Sequence, residues 1–186
     1  MKGKDPINSG DAIDSFRTAG FNVGSAICEI IDNSVEADST SIEIIVKYLP
    51  KKLNQKWPRI EKFVFIDNGH GMNNDILHNC LVLGEGTKKL SSKGIGKFGV
   101  GATLAGISQA RFLGIYSKIK TGKWLYAQLD LDLLNEGTGI LDPVEKQPPD
   151  EYTKNLDDQG TIVIWEKVDG GETQKDMEEA TNKIGR

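Results

Sequence analysis

Cysteine is scarce: Cys28 and Cys80 are the only two in 186 residues. They show neither CxxC spacing nor a Cys/His pattern, which leaves no zinc or redox motif. Both stand in apolar runs and read as small buried hydrophobes with free thiols, consistent with a cytoplasmic setting. Histidine is equally rare, and neither His70 nor His78 has a nucleophile or metal partner nearby in sequence. No apolar stretch approaches the roughly 18 residues of a membrane span. The start, Met1 to Pro6, has no apolar core of the kind a signal peptide carries. A strong charge imbalance is missing too. The 23 basic and 27 acidic residues leave a net charge of -4 and a pI of about 5.3, so a nucleic-acid-binding surface is not indicated. Lys51-Lys52 and Lys88-Lys89 read as solvated loop charges.

What is present is enough for one domain with a sizeable core. Residues of the AVILMFWYC class make up 38% and glycine adds 21 positions, the composition of an ordinary globular chain. Ser9 can cap a short helix through Arg17, stopped by Gly20. Val23, Ala26, Ile27, Ile30, Ile31 and Ser34-Val35 follow the three-four spacing of a helix from Val23 to Ala37. Ser41–Leu49 alternates as a half-buried strand. After a polar loop with two prolines, Phe63–Ile66 is a central strand. Asn73–Leu83 and Val100–Ser108 read as helices, and Arg111–Ser117 and Trp124–Leu131 as strands about a Lys120-Thr121-Gly122 turn. Asn135–Gln159 reads as a surface loop, Thr161–Trp165 as a last strand, and Glu172–Ile184 as an amphipathic helix. Hairpin-paired strands with helices gathered separately predict an α+β fold, a mixed sheet covered by helices on one face.

Three segments carry chemistry. Glu29 and Asn33, four apart, project from one side of the second helix, predicted to lie opposite its apolar stripe. The carboxylate can polarise a water and the carboxamide oxygen can ligate magnesium; taken alone, the pair also reads as a solvated helix face. Asp67-Asn68-Gly69-His70-Gly71-Met72 leaves an apolar strand. Its aspartate can accept from an exocyclic amine, its glycines let a flat ring approach, and Met72 can pack on that ring. Taken alone, it also reads as a hairpin turn. From Gly84 to Gly101 there are six glycines, and Gly94–Thr103 is a glycine loop entering a helix, whose free amides and dipole suit phosphate. No Gly-Lys-Ser/Thr ends it, as a Walker loop requires, and no strand precedes it, as a Rossmann turn requires.

The order of these pieces, closed by Gly160-Thr161 opening a strand, resembles the motif series of the GHKL superfamily. That superfamily includes gyrase B subunits, ninety-kilodalton heat-shock chaperones, MutL-type repair proteins and sensor histidine kinases. The resemblance runs from Ala12 to Trp165. Glu29–Ala37 with Ser41–Ile44 looks like the MutL, type VI topoisomerase and MORC pattern. Ile95–Gly101 is similar to the chaperone and MORC loops, so the subfamily expectation is a MORC-like or chaperone-like member of prokaryotic type. The resemblance implies a Bergerat two-layer α+β sandwich binding ATP or ADP with magnesium. It implies Glu29 as general base, Asn33 as metal ligand, and Asp67 on the adenine amine with Thr161 supporting it through water. Gly69, Gly71, Met72 and Ala37 would line the adenine pocket. Gly96, Lys97, Gly99, Val100, Gly101 and Ala102 would hold phosphates, with Lys97 or Lys88 facing the terminal one. Residues Gly84–Lys97 would form a lid.

The expected function is an ATPase in which lid closure and nucleotide-dependent homodimerisation drive a larger machine. A histidine kinase catalytic domain is the competitor. Such domains usually lack the glutamate four residues before the asparagine and follow a helical hairpin, whereas here Glu29 is present and only 22 residues precede its helix. A non-hydrolysing nucleotide-gated scaffold is a third class. Relatives take a lysine or arginine for the terminal phosphate from a following domain, and nothing after Trp165 reads as one. The chain is therefore expected to be an N-terminal module that lacks its downstream domain.

Overall fold

The computed structural model describes residues 13, 15–18, 20–82, 100–134, 140–169 and 173–184. Helical backbone at 13 and 15–17 gives way to Gly20 at a φ of 96°, in keeping with the short first helix; its expected cap, Ser9, lies outside the described residues. The first full helix, α1 (Val23–Glu36), starts at Asn22, whose side chain accepts the Ser25 N–H at 2.9 Å while Ser25 Oγ accepts the Asn22 N–H at 3.0 Å. This reciprocal cap satisfies two donors that a helix start otherwise leaves orphaned. Val23, Ala26, Ile27, Ile30 and Ser34 form the buried face. Val35, expected on that stripe, is 60% exposed, because one residue past Ser34 turns the side chain by about 100°.

The chain continues through β1 (Ile42–Tyr48), β2 (Ile60–Asp67), α2 (Asn74–Leu81), α3 (Val100–Gln109), β3 (Ala110–Lys118) and β4 (Leu125–Asp130). There follow α4 (Leu131–Leu134), β5 (Val144–Glu145), α5 (Asp150–Thr153), β6 (Gly160–Val168) and α6 (Gln174–Ile184). Leu131, expected to end a strand, opens α4 instead. The Asp130 carboxylate accepts the Asp132 N–H at 3.1 Å, a local side-chain bond that competes with the sheet ladder.

The strands form one sheet in the order β1-β2-β6-β3-β4-β5, and every described pairing is antiparallel. No parallel pair of the expected mixed sheet is found among the described residues. Alternation then sorts side chains to two faces. Phe63 and Phe65 of β2, Leu113 and Ile115 of β3 and Val163 and Trp165 of β6 pack against Ile27 and Ile30 of α1 in the main core. Trp165 meets Phe65 edge-on, ring centroids 4.6 Å apart, a favoured aromatic geometry.

On the opposite face Val64, Ile66, Tyr116, Ile162 and Ile164 form a second, smaller apolar cluster with Trp124 and Tyr152. The segment expected as a surface loop supplies its cover. Tyr152 of α5 is buried, Leu156 packs beside it, and Lys146 Nζ sits 4.0 Å from the Tyr126 ring centroid. Most helices gather on one face, while a short strap closes part of the other.

Where β2 ends, Asn68 ties it to the start of β1. Its Oδ1 accepts the Ser39 hydroxyl and the Thr40 and Ser41 N–H groups, each at 2.9 Å, and its Nδ2 donates to Thr40 Oγ1 at 2.9 Å. Asn68→Ala removes these bonds at partly exposed groups, the Ser39 hydroxyl keeping the Ser41 carbonyl at 2.8 Å, and is expected to cost about 0.5–1.5 kcal/mol. Urea unfolding is the check: a lower midpoint at an unchanged m-value is predicted.

Candidate functional site

A cavity of about 320 Å³ opens between α1, α2, the start of α3 and the inner sheet face. Its floor is apolar, built by Leu113 and Ile115 of β3 and Val163 and Trp165 of β6, with Ile30 of α1 beside them. Asn33, Ser34, Asp67, Thr103 and Thr161 are polar groups placed among these walls, with His70, Asn73 and Asp75 along the loop and α2 side. Few convergent polar groups in an apolar cleft is the composition of a small-molecule site. Cys80 also faces it. Burial pushes that thiol up to about 12, so it acts as protonated lining, its Sγ donating to the Leu77 carbonyl at 3.1 Å. Cys28 and Cys80 are half-buried as residues, the Cys80 thiol being enclosed.

The polar end of the cavity follows from strand register. Asp67 of β2 lies directly opposite Thr161 of β6, which lies directly opposite Ser117 of β3. Cross-strand partners project to the same face, so three polar side chains form a row along one end of the inner sheet. Asp67 is 7% exposed. Its Oδ1 accepts the Gly69 N–H at 2.9 Å, and the Ser34 hydroxyl proton is shared between its Oδ2 at 3.2 Å and the Ile30 carbonyl at 3.0 Å. Burial pushes the Asp67 carboxyl above the usual 3.8, against the lowering effect of the Gly69 N–H, the Ser34 hydroxyl, His70 and the Thr161 N–H.

The loop after Asp67 can approach this closely only without side chains. A Cβ on Gly69 would stand 2.7 Å from Ala37 Cβ. One on Gly71, at a φ of 69°, would collide with the Lys118 carbonyl. Both glycines are thus fixed by backbone contact and not by the hairpin turn their sequence also suggests. The compact loop brings Met72 to the cavity wall, its N–H donating to Ser117 Oγ at 2.8 Å.

Glu29 marks the other end. A Cβ placed on Gly101 would stand 2.5 Å from Glu29 Oε2, so this carboxylate lies against the first turn of α3. Glu29 and Asn33 are half-buried, and Asn33 lines the cavity with Ile30, Ser34 and Ala37. The expected placement opposite the apolar stripe is therefore corrected: the pair flanks the stripe. Residues 30, 33, 34 and 37 wind within one wide arc, since three- and four-residue steps each fall near a full turn. Among the described residues no three His, Cys, Asp or Glu side chains gather as a metal cage. Asn33 fits magnesium in the manner of a cation that keeps waters and takes few protein ligands beside substrate phosphates.

Of the residues singled out in the sequence, Asn33, Ala37, Asp67, Gly71, Met72, Ala102 and Thr161 line this one cavity. Gly69 abuts Ala37, and Glu29 meets Gly101. Lys88, Gly96, Lys97 and Gly99 lie outside the described residues, as does the expected lid; Val100 is described only as the first residue of α3. Sequence reasoning missed Ser34, Ser117 and the β3–β6 floor. A family model described as histidine kinase-, DNA gyrase B- and HSP90-like ATPase matches residues 21–161. The chain belongs to this family. No curated protein matches the sequence. The match covers α1 through the first residues of β6, the span that holds both Glu29 and Thr161, and supports an ATP-binding domain of the GHKL type.

In this GHKL domain the buried Asp67 gives stability a definite pH dependence. A carboxyl held above its unfolded pKa binds its proton earlier in the folded chain than in the unfolded one. Its contribution is fully present below the unfolded pKa and is lost as pH rises through the folded pKa. Relative to Asp67→Asn, which does not titrate there, wild type is expected to gain stability as pH falls from neutral toward 3.8. Urea midpoints of both proteins across that window check it. A constant difference would mean that the carboxyl is not desolvated.

Proposed function

We propose that this domain binds and hydrolyses ATP in the cavity beneath α1, as the ATP-consuming part of a larger assembly. One observation carries the proposal: α1 presents its polar groups in the order that a bound nucleotide requires. Ser34 touches Asp67 at the base end, Asn33 follows, and Glu29 reaches the first turn of α3. The five steps from Ser34 back to Glu29 span about 7.5 Å of helix. Asp67 accepts from the exocyclic amine, and Met72 and Ala37 close on the ring. The free amides and dipole of the α3 start hold phosphate. Asn33 offers its carboxamide oxygen to magnesium, which supplies charge neutralisation across the phosphates when bound. Glu29 orients a water and takes its proton.

The position of Glu29 favours hydrolysis over phosphotransfer to a histidine, since transfer has no need of a base aimed at water. Lys97 and Lys88 as partners of the terminal phosphate, a lid over Gly84–Lys97, nucleotide-dependent dimerisation, a MORC-like or chaperone-like assembly and a cytoplasmic setting belong to the same reading, supported by the motif resemblance. Among the described residues no helix is long and apolar enough to cross a membrane.

Calorimetry with magnesium and ADP tests the base assignment. Asp67→Asn is expected to weaken binding by about 1.5–3 kcal/mol, the loss of a charge-assisted hydrogen bond in a buried pocket; unchanged affinity would sink it. Glu29→Ala is expected to keep nucleotide affinity and lose turnover, because the base acts in the transition state. If that variant hydrolyses ATP at the wild-type rate, the water is activated elsewhere.

A further inference from the structure

We infer that Ser117 is a positioning and specificity-determining residue, orienting the Thr161 hydroxyl so that the cavity selects a 6-aminopurine over a 6-oxopurine. The inference rests on the nucleotide-binding reading and names the side chain that would choose between bases. Ser117 is fully buried at the end of β3. Its Oγ accepts the Met72 N–H at 2.8 Å and lies 3.0 Å from Thr161 Oγ1 and 3.3 Å from the Gly160 carbonyl. A serine hydroxyl has one proton and two lone pairs. With Met72 filling one lone pair, the proton turns either to the Gly160 carbonyl at 3.3 Å, Thr161 then donating to the second lone pair, or to Thr161 at 3.0 Å, and the shorter contact favours donation to Thr161.

Donation to Thr161 leaves the threonine's own proton free, and among the described residues its hydroxyl has no other hydrogen-bond partner. Thr161 lines the cavity beside Asp67. Asp67, already accepting from Gly69 and Ser34, can offer the ligand only an acceptor while ionised. With Thr161 meeting the base edge itself, in place of the water-mediated support that the family resemblance implies, the row presents an acceptor next to a donor. A 6-aminopurine offers the complement, an N6–H donor beside the N1 acceptor. A 6-oxopurine reverses both, with an O6 acceptor beside an N1–H donor. Without the Ser117 hydroxyl, Thr161 is free to rotate and accept, and the row no longer rejects the oxo edge.

ADP and inosine diphosphate differ only at this edge, so the ratio of their affinities, measured by calorimetry with magnesium, reads the orientation alone. Wild type is expected to prefer ADP, and Ser117→Ala to lower that preference by about five- to tenfold, the worth of one hydrogen bond. Ser117→Thr, which keeps the hydroxyl, is expected to retain the preference. Thr161→Val leaves the Ser117–Met72 bond in place and is expected to lose as much as Ser117→Ala, with the double variant losing no more. A merely structural role would weaken both ligands equally and leave the ratio unchanged, which overturns the inference. Should Ser117→Ala fail to fold, an unchanged ratio in Thr161→Val overturns it as well. Wild type binding ADP and inosine diphosphate equally would overturn this inference alone; wild type binding neither would sink the nucleotide reading with it.

Discussion

A carboxylate buried at the end of an apolar strand is costly unless polar hydrogens reach it, and the polar end of the cavity is organised around that requirement at Asp67. Two of its donors come from different parts of the chain, Gly69 from the following loop and Ser34 from α1, and the Thr161 N–H of the neighbouring strand β6 favours its charged form. Satisfying one side chain therefore docks a helix, a loop and a neighbouring strand at a common point. Burial still holds its carboxyl above the ordinary range, so the compensation is incomplete. An incoming amine hydrogen would supply part of what is missing, which is a physical reason for ligand binding to tighten this end of the sheet.

The two layers differ in what they contribute. The inner face gives the cavity a rigid apolar floor, because Trp165, Phe63 and Phe65 are fully enclosed and locked by edge-on ring contacts. Among the described residues the outer face has no helix layer of comparable size, and its aromatic and aliphatic residues are covered by the strap that carries Tyr152 and Leu156. That strap runs directly into Gly160 and Thr161, so the segment that shields the outer face also delivers a cavity residue to the inner one.

Much of this was legible in the sequence, and the reasons are specific. The three-four spacing of Val23, Ala26, Ile27 and Ile30 identified α1, and Glu29 and Asn33 fell on a common side of it. Asp67, Gly69 and Gly71 stood out because a strand end followed by spaced glycines has few uses. Ser117 and Ser34 were not legible. A single serine closing an apolar strand or embedded in a helix carries no signal until the neighbouring strand and its register are known, and the order β2-β6-β3 joins segments about fifty to one hundred residues apart. The strap was misread for a related reason: its proline-rich polar composition is that of a loop, and its two anchoring side chains are too few to show a period.

Helix α1 sets the tolerances of the whole site. Its side chains end about 5 Å from the helix axis, so a rotation of 10° moves a functional group by about 1 Å. A displacement of that size can cost about a hundredfold in rate. Rotation is resisted by the opposite flank of the same helix, where Ala26 and Ile27 are enclosed in the main core. It is resisted again by the Asn22–Ser25 cap at one end and the Ser34–Asp67 contact near the other. The residues that set the angle at which α1 presents Glu29 are therefore largely apolar, and repacking the core beneath α1 changes that angle.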